Sequence, residues 1–130
     1  MPNKKHIHTD DAPRALGPYS QAIESGRLVF CSGQVAIDPV TSALVSGDVG
    51  DQTRQVMKNL QAVLAAADLT LGDVVKTTIY LASMADFQAV NEVYAEFFGP
   101  HRPARAVVPT RDLHHGLLVE IEAIASTREG

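Results

Sequence analysis

A chain of 130 residues with 45% hydrophobic content is long enough for one domain around one core, and 5% aromatic residues with no Trp make that core aliphatic. The formal net charge of −4 offers no electrostatic footprint for nucleic acid. No apolar run approaches the roughly 18 residues of a membrane span, and a single cysteine, Cys31, cannot close an intrachain disulfide, so a reducing cytoplasmic setting is expected.

Residues 1 to 18, with Pro2, Pro13 and Pro18 among mixed His, Lys and Asp, read as a polar arm leading into Tyr19. His6 and His8 alternate as strand ligands would, but no acidic or cysteine partner stands at a diagnostic spacing, so no metal site is expected. Apolar-rich runs at 19 to 24 and 27 to 32, parted by Ser25-Gly26, predict a hairpin. Asp38-Pro39 and Ser46-Gly47 then mark a loop with a short extended segment. From residue 49 the period changes: Val49, Thr53, Val56, Met57, Leu60, Val63, Leu64 and Ala67 fall at spacings of three and four, which predicts an amphipathic helix over 49 to 67. Residues 74 to 81 alternate as a strand does, with Val75, Thr77, Ile79 and Leu81 sharing a face. A capping sequence at Ser83-Met84-Ala85-Asp86 opens a second helix with the stripe Phe87, Val90, Tyr94, Phe97, and Gly99-Pro100 stops it. Extended runs at 104 to 111 and 117 to 125, around Asp112, His114, His115 and Gly116, predict a closing hairpin.

The order β-β-α-β-α-β-β describes an α+β domain in which two helices cover one face of a five-stranded mixed sheet. The opposite face then keeps Leu, Val and Ile side chains that need a partner, and another copy of the chain is the economical one. Within the closing hairpin, Arg105 and Glu120 would face each other on one side of the sheet. Two readings of Arg105 stay open on these residues: a planar clamp for a ligand carboxylate, or a structural ion pair with Glu120 or Glu122. Glu120 has the chemistry to orient and deprotonate a water. Tyr19 follows a Gly-Pro turn that projects its ring, and Ser32-Gly33 ends a strand where a backbone amide is open to close approach. Cys31 reads as a small buried hydrophobe.

Pro103-Ala104-Arg105, Leu113 and Val119-Glu120-Ile121 together resemble the signature of the RidA family, also called YjgF, of reactive-intermediate deaminases. The likeness continues through Gly17-Pro18-Tyr19-Ser20, Ser32-Gly33-Gln34, Gln52-Thr53-Arg54-Gln55, Val75-Lys76-Thr77-Thr78 and Val90-Asn91-Glu92-Val93-Tyr94, nearly the whole chain. It implies a chorismate-mutase-like fold, a homotrimer with sites in the intersubunit clefts, and hydrolysis of short 2-imino acids to 2-keto acids and ammonia without a cofactor. It also implies roles: Arg105 holds the substrate carboxylate, Glu120 handles the proton and the water, Tyr19 closes the site, and Ser32, Gly33 and Val107 line the pocket. Val107 stands where many relatives carry cysteine, and His114 where they carry the proline of a Leu-Pro turn. Two further readings remain beside it: a binder of small carboxylates without turnover, and a ribonuclease, for which a basic stripe with interleaved aromatics is missing.

Overall fold

The computed structural model describes residues 4 to 128. Six strands and two helices follow in order: β1 Lys4–Ile7, β2 Ala22–Ser25, β3 Leu28–Gln34, α1 Val49–Ala65, β4 Val74–Leu81, α2 Phe87–Phe98, β5 Ala104–Pro109 and β6 Val119–Ser126. The strands make one mixed sheet ordered β1-β2-β3-β6-β4-β5.

Both helices stand where the periodicity puts them. Asp48 caps α1, its carboxylate accepting from the Asp51 amide at 2.9 Å while the Asp51 carboxylate accepts from the Asp48 amide, which satisfies two of the helix's orphan donors. The α1 stripe Val56, Met57, Leu60, Val63 and Leu64 is wholly removed from solvent against the sheet. At roughly 2 kcal/mol per fully buried aliphatic side chain, this stripe is the main anchor of the helix layer. Ser83 caps a single 3₁₀ turn, Met84–Asp86, rather than α2 directly, and Gly99 at φ 64 ends α2 in a conformation costly for other residues. The helices share one face of the sheet. Under them lie Val29, Cys31, Ile79, Leu81, Val119, Ile121, Ala123 and Ala125, all buried.

Four expectations change. The arm is not irregular throughout: Lys4–Ile7 adds a sixth strand by pairing antiparallel with β2, and residues 1 to 3 lie outside the described residues. In β4 the pairing with β6 shifts register between Val74 and Lys76, so Val74 rather than Val75 turns into the core, and Val75 is exposed. Helix α1 ends at Ala65, and Ala66 and Ala67 continue as a turn.

The largest change concerns the closing hairpin, which does not form. Strand β6 inserts antiparallel between β3 and β4, while β5 pairs parallel with the far side of β4 through the α2 crossover. Thr77 stands opposite Arg105 and faces the helices, whereas Tyr80 stands opposite Glu120 on the uncovered face. Arg105 and Glu120 therefore lie on different strands and opposite faces, with β4 between them. The ends of the connecting segment are tied to other elements rather than to each other: the Thr110 amide donates to the Leu81 carbonyl of β4 and the Leu118 amide to the Gln52 side chain of α1. The uncovered face carries Leu28, Phe30, Val75 and Val108, each more than a third exposed, beside Tyr80, Glu122 and Ile124.

Candidate functional site: two half-sites on one chain

The N-terminal segment builds the first half-site, and one buried side chain holds it there. Gln21 donates through Nε2 to the carbonyls of Thr9, Ala12 and Pro13 and accepts from the Thr9 amide at 2.7 Å. This amide takes the place of a missing strand partner, so the segment from Thr9 to Tyr19 can run over the sheet without ladder bonds. Beneath it is a cavity of about 560 Å³ lined by Arg14, Leu16, Tyr19, Ser32, Gly33, His114 and Glu120 among others.

The floor of that cavity is a β-bulge. Cys31 pairs with Ala123 but Gln34 with Ile121, so Ser32 and Gly33 together oppose one residue of β6. The Ser32 hydroxyl donates to the Ser20 carbonyl at 2.6 Å and its amide to the Gln21 carbonyl at 2.9 Å, tying the bulge to the overlying segment. Glu120 leans onto Gly33 so closely that a β-carbon there would sit 2.1 Å from the carboxylate Oε2, so any larger residue at 33 would displace the carboxylate from this position. Glu120 has no hydrogen-bond partner among the described residues, unlike Glu122, which accepts from the Tyr80 hydroxyl at 2.9 Å. Loss of solvent raises the Glu120 carboxyl above the ordinary glutamate range; the nearby His114 pulls it back and the like charge of Glu122 pushes it up. Tyr19 is 56% exposed at the rim.

The second half-site is on the opposite face, at the β5 edge, where Arg105, Arg102, Pro103, Asn91, Tyr94 and Ala95 line a cavity of about 380 Å³. The Arg105 guanidinium carbon lies 5.2 Å from the Tyr94 ring centre and 5.7 Å from that of Phe87, and Nη1 donates to Asn91 Oδ1 at 2.7 Å. Tyr94 is fixed in turn by a 2.8 Å hydrogen bond between its hydroxyl and Thr77. The fork is thus held by α2 with donors left over for an anion.

Of the residues singled out in the sequence, the structure gathers Tyr19, Ser32, Gly33 and Glu120 and sets Arg105 apart. Val107 packs against the core and lines neither cavity. Cys31 is buried, its thiol pushed up to about 12 by loss of solvent, which makes it a core group. Four residues went unassigned in the sequence reading: Arg14, Gln21, Asn91 and His114. Asn91 had a visible signal, a polar residue one step from the apolar stripe of α2; His114 had one too, as a departure from the family turn. Among the described residues no group of three or more His, Cys, Asp or Glu could hold a metal ion, and no helix is long and apolar enough to cross a membrane.

Comparison with known proteins matches residues 9–127 to the family model described as Endoribonuclease L-PSP. A RutC family protein of Pyrococcus horikoshii is 52% identical over 122 residues, 94% of this chain and 97% of that one. A 2-iminobutanoate/2-iminopropanoate deaminase of mouse is 48% identical over 122 residues, 94% and 90% of the two chains. Among solved structures, E. coli TdcF with bound serine superposes with a TM-score of 0.91 at 40% identity, covering 95% of this chain and 99% of the other. The sheet with its two helices, and a sequence match that spans all but the ends, lead to one assignment: the chain belongs to the Endoribonuclease L-PSP family, also called YjgF or RidA.

Proposed function

We propose that the protein hydrolyses short 2-imino acids to 2-keto acids and ammonia, at sites completed when copies of the chain associate as a homotrimer. The observation that carries this reading is the split itself. A clamp for a carboxylate and a partnerless, raised carboxyl lie on opposite faces of one sheet, so a single chain holds both halves of an imine site and cannot close them on one substrate. The exposed apolar side chains of the uncovered face supply the surface for copies to meet.

In the assembled cleft, Arg105 of one copy grips the substrate carboxylate through its free guanidinium donors and orients the imine carbon. Glu120 of a neighbour accepts a proton from a water as that oxygen bonds to the imine carbon. It then returns that proton to nitrogen and takes up the proton of the new hydroxyl as the carbonyl forms and the C–N bond breaks, and the departing ammonia carries this last proton away as ammonium. The protonated imine is already electrophilic, and no cofactor enters this scheme. Tyr19 at the rim caps the bound substrate. Ser32 and Gly33 set the bulge against which Glu120 is positioned, and Val107 supports the strand behind the clamp. The mouse deaminase and the serine held by TdcF support the same small-molecule class.

The test couples the protein to threonine dehydratase, which releases 2-aminocrotonate and its imine tautomer, and follows 2-oxobutyrate formation. Acceleration over buffer is expected, with Arg105→Ala lowering kcat/KM by about a hundredfold or more. A rate equal to buffer, or full activity in Arg105→Ala, overturns the reading. Protection against heat by 2-oxobutyrate without any acceleration would point to a carboxylate binder instead.

A further inference from the structure

Arg14 and His114 enter the Glu120 cavity from two unrelated elements. Arg14 rides on the segment clamped by Gln21, in the stretch that leads to Tyr19. His114 comes from the 3₁₀ turn His114–Gly116 before β6, where His115 at φ 56 and Gly116 at φ 72 adopt consecutive left-handed conformations. That turn directs the chain back toward β6 and leaves the His114 ring on the cavity wall. Among the described residues, neither the Arg14 nor the His114 side chain has a hydrogen bond or an ion pair. Among the described residues that line the cavity, Glu120 is the only acid.

Charge balance then says something about the substrate. A cleft completed by Arg105 gathers two guanidinium groups and an imidazole around one reactive carboxylate. A substrate with a single carboxylate answers Arg105; a second anionic group would meet Arg14 and His114, both exposed where they line the cavity. Resting on the imine-hydrolase reading above, we infer that Arg14 and His114 form a second anion subsite, and that the preferred substrates are 2-imino acids with an acidic side chain. His114 and Glu120 line the same cavity, so a distal anionic group seated at His114 lies on the wall that also carries the proton carrier.

The experiment compares two imines made in place: 2-iminobutanoate from threonine with a dehydratase, and 2-iminosuccinate from aspartate with an aspartate oxidase. Disappearance of each imine is read by competition with semicarbazide. The wild type is expected to favour 2-iminosuccinate in kcat/KM by about tenfold, and Arg14→Gln and His114→Phe are each expected to cut that selectivity ratio by about fivefold to tenfold. Hydrolysis of 2-iminobutanoate with no preference for 2-iminosuccinate, or a preference that survives in the double variant, overturns the subsite and leaves the imine-hydrolase reading standing. If neither imine is hydrolysed, that reading falls and the subsite falls with it.

Discussion

Arg105 is held before any anion arrives. Two aromatic rings and the Asn91 amide fix its plane, so little of the rotamer freedom that an arginine surrenders on binding remains to be lost. Lysine cannot stack or fork in this way, and the position depends on the guanidinium. Glu120 is prepared in the opposite sense, kept from water and without a hydrogen-bond donor, and this gives it a readable pH signature. A carboxyl whose folded pKa is raised binds its proton more tightly in the folded than in the unfolded state. The wild type therefore loses stability as pH rises from the unfolded glutamate range through the Glu120 pKa. Glu120→Gln removes that loss. Thermal melts across the acid range should show the variant gaining on the wild type as pH rises through this window, while imine hydrolysis at neutral pH falls by about a hundredfold or more. The acid limb of wild-type activity should lie above the ordinary glutamate range. A variant that gains nothing on the wild type as pH rises would show that burial does not strain Glu120, and one that stays active would show that Glu120 is not the proton carrier.

At the scale of elements, α1 is the piece on which the sheet depends. Leu60 is wholly buried in the middle of its stripe, and Leu60→Ala should lower unfolding stability by about 3 kcal/mol in urea titrations. A loss under about 1 kcal/mol would mean that the core collapses around the gap. The helices were legible because their apolar residues recur every three to four positions, a pattern set by the helix alone. The closing strands were legible as strands, from Ala104 to Pro109 and from Val119 to Ala125, but not as partners. Alternation along one strand is the same whichever strand lies beside it, and a turn of Asp, His and Gly signals reversal without saying whether the chain comes back to its neighbour. That ambiguity cost the sequence reading the separation of Arg105 from Glu120. The residues themselves were named from the family signature, whereas Gln21 and Arg14 were hidden because a buried clamp and an unpaired cation leave no trace in periodicity.

For the whole molecule, the shared-site proposal makes a prediction about mixtures. Tyr19→Phe and Arg105→Ala chains, each of low activity alone, should regain activity when unfolded together and refolded into hybrids, because some clefts then receive both native residues. Sedimentation of the wild type should give a trimer, and an active monomer or silent hybrids would remove the shared cleft. The two margins of the sheet bear on how such association proceeds. At one margin β1 is only four residues long and carries Lys4 and Lys5, both exposed; at the other, β5 ends in Pro109, which has no amide hydrogen to offer an incoming strand. Both features disfavour a further strand at the margins, so where copies associate as proposed, the apolar face rather than an edge is the expected meeting surface, and a closed particle rather than a fibril the expected product.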